Sequence, residues 1–143
     1  MRETDTETNH ALRNARAHIA GWVDAYAATQ ALNNGGVDEV EIDGDTFTDP
    51  ADITDRMQEG ALSVEVRSEW HTPGSETSSS EFQVLLTTGG PAFRIIGDLD
   101  RYWNPTGVRA EHQDWGTPWT KVELDDKEQE AVDWFANLFY YGE

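Results

Sequence analysis

Few residues in this chain combine the type and spacing that chemistry requires, and several fall in one stretch. Residues 111–120, EHQDWGTPWT, set His112, Gln113 and Asp114 ahead of Trp115 and Trp119, which flank a Gly-Thr-Pro turn. An imidazole near a carboxylate is the raw material of general acid–base catalysis. Two indoles four positions apart can wall a pocket. Elsewhere His71 follows Trp70 at a strand end, and Arg67 and Arg94 are forks suited to a carboxylate or phosphate. Two uses of these residues compete. In one, the loop at 70–74 and the turn at 112–119 enclose a small-ligand or hydrolase pocket walled by His71, His112, Asp114, Arg67 and the tryptophans. In the other, which we take as the working expectation, the turn tryptophans cap the core. Trp115 and Trp119 then fold back onto the last helix beside Trp134, and His112 and Asp114 hydrogen-bond the turn.

Catalytic signatures with fixed spacing are missing. The four histidines, His10, His18, His71 and His112, show neither His-x-x-x-His nor His-Glu-x-x-His spacing, so no zinc site is expected. There is no cysteine, hence no thiol nucleophile, disulfide or thiolate–metal site. No Gly-x-Ser-x-Gly elbow, dinucleotide-binding glycine pattern or phosphate-cradling loop is present. A calcium loop starting at Glu39 would place Gly44 correctly at its sixth position, but Pro50 would stand where a bidentate glutamate is required. Carboxylate pairs carry no weight as a signal, because 28 acids guarantee that some lie close in any fold. We expect no catalytic residue, no metal and no cofactor.

Charge is the dominant feature. Against those 28 acids stand 10 Lys+Arg in 143 residues, a formal net charge of −18. Such a field repels phosphate backbones and anionic membranes, so direct nucleic-acid or membrane binding is not expected. Two explanations fit. A carboxylate-rich, lysine-poor surface stays hydrated in concentrated salt; alternatively, it imitates nucleic acid and occupies the basic groove of a DNA- or RNA-handling protein.

The elements that must position these residues follow from periodicity. Residues 1–8 are polar and expected to be disordered, with a single domain over 9–143. Leu12, Ala15, Ile19, Trp22, Val23 and Tyr26 recur at helical spacing, and NNGG at 33–36 stops that helix. Val40 and Ile42 alternate with acids and turn at Asp43-Gly44 into a small hairpin. Asp49-Pro50 starts a short helix that Gly60 closes. Leu62, Val64 and Val66 then alternate with Ser63, Glu65 and Arg67 as a half-buried strand. Further strands carry Phe82, Val84 and Leu86, then Phe93 and Ile95, then Val108 and Ala110, each with polar residues on the other face. Asp125 with Glu128 forms a capping box ahead of a stripe of Ala131, Trp134, Phe135, Leu138 and Phe139. The predicted fold class is α+β, an antiparallel four- to five-stranded sheet packed on one face by N- and C-terminal helices. The opposite face should display Glu65, Arg67, Glu81, Gln83, Arg94, Arg109 and Glu111. No apolar run approaches the roughly 20 residues of a membrane span, and the polar N-terminus is unlike a signal peptide, so a cytoplasmic protein is expected.

Four segments in fixed order, LSVEVRSEWHTPG (62–74), LLTTGGPAFRI (85–95), QDWGTPWT (113–120) and the terminal FYYGE, resemble a group of small acidic proteins associated with viruses and other mobile elements. The resemblance spans about the last 85 residues and matches that pattern at Arg67, Trp70, Gly89, Gly90, Gln113, Asp114, Trp115 and Trp119. Glu69 stands where the pattern has glycine and Thr87 where it has cysteine, so no thiol role carries over. The resemblance implies a mobile-element setting and no particular reaction. The expectation is therefore a non-enzymatic accessory protein, adapted to high salt, that works by contact with a protein partner. A nucleic-acid mimic directed at a host defence or DNA-handling protein fits that description. The alternatives are the ligand pocket above and a structural component of a virion. A monomer or homodimer is expected.

Overall fold

The computed structural model describes residues 10–68, 70–75 and 79–142; the segment 1–8, expected to be disordered, lies outside them. Helix α1 (His10–Asn33) buries Ala11, Ala15, Ile19, Trp22, Ala25 and Thr29, spaced three or four apart and so on one face. It ends where Gly35 takes a left-handed φ of 72° and Gly36 N–H donates to the Ala31 carbonyl.

Strands β1 (Val40–Ile42) and β2 (Asp45–Phe47) form a hairpin through Asp43 and Gly44, both at positive φ, the geometry that a tight two-residue turn demands. Helix α2 (Pro50–Glu59) follows, with the Asp49 side chain accepting from Ala51 N–H. Phe47 and Ile53 close on Ala25 of α1 in a small satellite core.

The main sheet is a meander in the order β3 (Ser63–Ser68), β4 (Ser79–Thr87), β5 (Ala92–Leu99), β6 (Pro105–Gln113) and β7 (Thr120–Lys121), antiparallel throughout. Its register pairs Val64 with Val84, Val84 with Ile95 and Ile95 with Ala110, so one row of apolar side chains runs straight across four strands. Helix α3 (Asp126–Ala136) begins at the predicted capping box, with Asp125 and Glu128 exchanging hydrogen bonds. It lies beside α1 over this face. Trp22 stacks on Phe135 at 4.0 Å and on Phe93 at 5.7 Å, which joins both helices to the sheet. The architecture is α+β, with a five-stranded antiparallel sheet covered on one face by the N- and C-terminal helices.

Strand β3 departs from expectation. Leu62, Val64 and Val66 were predicted to form the buried side of a half-buried strand, yet they are 59%, 39% and 43% exposed. Two helices about 10 Å wide cover roughly 20 Å, or about 10 Å to either side of their midline, which is about two strand spacings of roughly 4.8 Å. The helices centre on β5 and β6, and β3 protrudes beyond them. After α3 the chain returns toward the sheet. The buried Tyr141 ring packs 4.7 Å from Phe82, and its hydroxyl donates to the Ala136 carbonyl.

Candidate functional site

The sheet face away from the helices is polar, and among the described residues no helix lies over it. Alternation along each strand puts Glu65 and Arg67 of β3, Glu81 and Gln83 of β4, Arg94 of β5, and Arg109 and Glu111 of β6 on it, as predicted. Register makes them neighbours. Gln83 Nε2 donates to Glu65 at 3.0 Å, Arg94 Nη1 donates to Gln83 at 2.7 Å, and Arg94 Nε and Nη2 both donate to Glu111. The result is one hydrogen-bonded row across four strands. Arg67 pairs with Glu81, holding that carboxyl below its usual range through the guanidinium hydrogen bond. A shallow depression of roughly 320 Å³ opens over these side chains, with Arg67, Arg94 and Arg109 among its walls.

Arg94 is the centre of the row. Its guanidinium lies 4.1 Å from the Trp119 ring, a cation–π stack that fixes the fork toward Glu111. The two charged side chains are only 21% and 15% exposed. Arg94 therefore has its donors engaged and is not poised as a free fork for an incoming anion.

The two ends of the sheet differ. At the end of β3, Trp70 and His71 border a broad concavity with Arg67, Glu81, Asp100 and Arg101. Asp100 organises the β5–β6 turn there, its carboxylate accepting from the N–H groups of Asn104 and Tyr102, which lowers its pKa. At the opposite end, the 113–119 turn is held by its own atoms. Thr117 Oγ1 accepts from Asp114 N–H and donates back to the Asp114 carbonyl, and Gly116 supplies a φ of 70°. Trp115 lies against Gly90 so closely that a Cβ there would be 2.6 Å from its Nε1. The Gly-Gly-Pro turn and the Asp-Trp-Gly-Thr-Pro-Trp turn are thus one local assembly, with Gln113 paired to Ala92 between them.

One alternative and one expectation are corrected. The ligand pocket joining His71 to His112 and Asp114 does not form. Strands β3 and β6 run in opposite directions with β4 and β5 between them, so their C-terminal ends lie at opposite ends of a sheet about 25 Å long. His112 also faces the helix side. Its Nδ1 is buried with no hydrogen-bond partner among the described residues, and burial lowers its pKa, with Asp114 opposing the shift. His112 therefore does not help hold the turn, whereas Asp114 does. The second correction concerns the tryptophans. Trp70 is 101% and Trp115 78% exposed, and Trp119 packs on Arg94 of the open face, so none of the three caps the helical core. Trp134 sits on the other side of the sheet, against Tyr26 of α1.

Sequence reasoning underweighted Trp119 as the partner of Arg94. Strand alternation placed Arg94 outward, but the neighbouring turn carried no period that would say which way Trp119 leaves the sheet. Among the described residues, no cluster of three or more His, Asp or Glu has the geometry to hold a metal ion, and no helix is long and apolar enough to cross a membrane. No family model, no curated protein and no solved structure matches the chain.

Proposed function

We propose that this protein is a non-enzymatic accessory factor of a virus or mobile element that works by protein contact, presenting an acidic lobe to a basic, nucleic-acid-handling partner. The observation that carries the reading is where the charge lies. Between Val37 and Gly60, the β1–β2 hairpin and α2 expose Asp38, Glu39, Glu41, Asp43, Asp45, Asp49, Asp52, Asp55 and Glu59. The one cation of that segment, Arg56, is tied to Asp45 at 2.6 Å. The open sheet face, by contrast, sets Arg67, Arg94 and Arg109 against Glu65, Glu81, Asp98 and Glu111, close to balance. Adaptation to salt alone calls for acid spread over every surface. A lobe of one sign attracts a basic groove over about 10 Å at moderate salt.

The test is capture from an extract of the presumed host, with duplex DNA as competitor. The expected result is a nucleic-acid-binding protein that DNA displaces. A variant with Asp38, Glu39, Glu41 and Asp43 changed to their amides should lose that protein, and Arg67→Ala should retain it. Capture that is indifferent both to DNA and to the amide changes refutes the reading, as does no capture at all.

A further inference from the structure

We infer that the exposed strand β3 is a homodimerisation edge, pairing antiparallel with β3 of a second copy about a two-fold axis through Val66. This does not depend on the acidic lobe or on the identity of any partner.

The sheet has two edges, and they are unequal. On the β6 side, β7 occupies Glu111 and His112, Val122 N–H donates to the Ala110 carbonyl, and the Gln129 side chain donates to the Val108 carbonyl. That side of the sheet ends in β7, whose two exposed residues are too short an edge to template a strand. On the other side, β3 offers six consecutive residues whose outward N–H and C=O groups have no strand beside them among the described residues. Its helix-side row is apolar and exposed, with Val66 at 43% and Leu62 at 59%. An open edge with an uncovered apolar row is a template for another strand.

The occupant follows from charge complementarity. A two-fold axis perpendicular to the sheet keeps each face continuous, so only registers that bring like-facing residues together are allowed. Four centres fall inside the strand, and centring on Val64 sets Glu65 opposite Ser63 and Arg67 opposite Ala61, leaving both charges without a counter-charge. Centring on Glu65 sets that carboxylate against its own copy, and centring on Arg67 does the same for two guanidinium groups. Centring on Val66 instead places Glu65 opposite Arg67 of the second copy, twice by symmetry, and Val66 opposite Val66. The strand's own sequence, Ser-Val-Glu-Val-Arg-Ser, is thus complementary to itself in one register. Because β3 is the one long open edge of this sheet among the described residues, the pairing closes as a dimer and does not propagate.

The full chain contains no cysteine, which makes the register directly readable. Single variants Val64→Cys, Glu65→Cys, Val66→Cys and Arg67→Cys are oxidised by air and a copper catalyst, then run on non-reducing gels. Directly opposed residues in an antiparallel pair sit about 4.5–5.5 Å apart at Cα, within disulfide reach. Residue 64 and its copy would be four residues out of register, about 13 Å apart. Val66→Cys should therefore cross-link and the others should not.

Sedimentation in about 0.5 M salt, where long-range repulsion is screened, gives the second readout. The unmodified protein should sediment as a dimer. Glu65→Arg and Arg67→Glu should each weaken association by about tenfold or more, and the double exchange should restore it. Circular dichroism confirms that each variant folds. A monomer at every concentration, cross-linking that peaks at another position or at none, or a double exchange no better than the singles overturns the inference.

Discussion

Replacing Arg94 by alanine removes the centre of the polar row while leaving the apolar face untouched. The guanidinium makes two hydrogen bonds to Glu111, at 2.9 and 2.7 Å, and one to Gln83, at 2.7 Å. An ion pair on an open surface contributes under about 1 kcal/mol, whereas stranding one partner of a fully buried pair costs about 3–5 kcal/mol. With side chains 21% and 15% exposed, this pair lies between those limits. A loss near 2 kcal/mol follows from the stranded Glu111, and the Trp119 stack adds roughly 0.5–1 kcal/mol. The total of about 3 kcal/mol should lower the urea midpoint by about 1.5 M for a slope near 2 kcal/mol per M. The assay is urea unfolding read by far-ultraviolet circular dichroism. A double-mutant cycle with Glu111→Ala should return a coupling of about 1.5 kcal/mol or more. Arg94→Lys should recover little, because an ammonium cannot engage both Glu111 and Gln83 while stacking on an indole. A loss below about 0.5 kcal/mol for Arg94→Ala would refute the reasoning, since that is the size of an ordinary solvated pair.

Gly97→Ala should destabilise by about 1–3 kcal/mol, seen as a lowered Tm, because its Cβ would lie 2.8 Å from the Phe82 ring and 2.9 Å from the Thr106 carbonyl, and the backbone oxygen cannot yield. Tyr141→Phe should cost about 1 kcal/mol in urea unfolding, since it deletes a 2.7 Å hydrogen bond and leaves the Ala136 carbonyl at the end of α3 without that donor. Burial lowers the pKa of His18 and of His112 from 6.5, so the unfolded chain takes up protons on them first as pH falls. Their contribution is present above pH 6.5 and is lost as pH drops below it toward the folded-state values. Chemical denaturation across that window should show the decline, and His18→Gln with His112→Gln should flatten it.

The legible part of the fold was the part governed by local period. The capping box at Asp125 and Glu128, the Asp49-Pro50 helix start, the Asp43-Gly44 turn and the in–out alternation of β4, β5 and β6 are all written in consecutive residues. The same alternation named every member of the polar row. The tryptophans were misread because a turn residue has no period: Trp70, Trp115 and Trp119 sit where the chain leaves the sheet, and either side is open to them. The ligand pocket failed for a related reason. His71 and His112 both follow strands, and only the number of reversals between those strands decides whether the two ends coincide.

What the amino-acid order determined by itself was therefore each element, its faces and the strongly acidic character of the hairpin and α2, because propensity, capping and charge act within a few residues of one another. Tertiary structure alone decided that the helices stop short of β3, that Trp119 turns onto Arg94, and that the two histidine-bearing ends lie apart. Those outcomes depend on where the two helices centre on the five strands and on chain reversals summed over the whole meander, quantities that no short stretch of sequence contains.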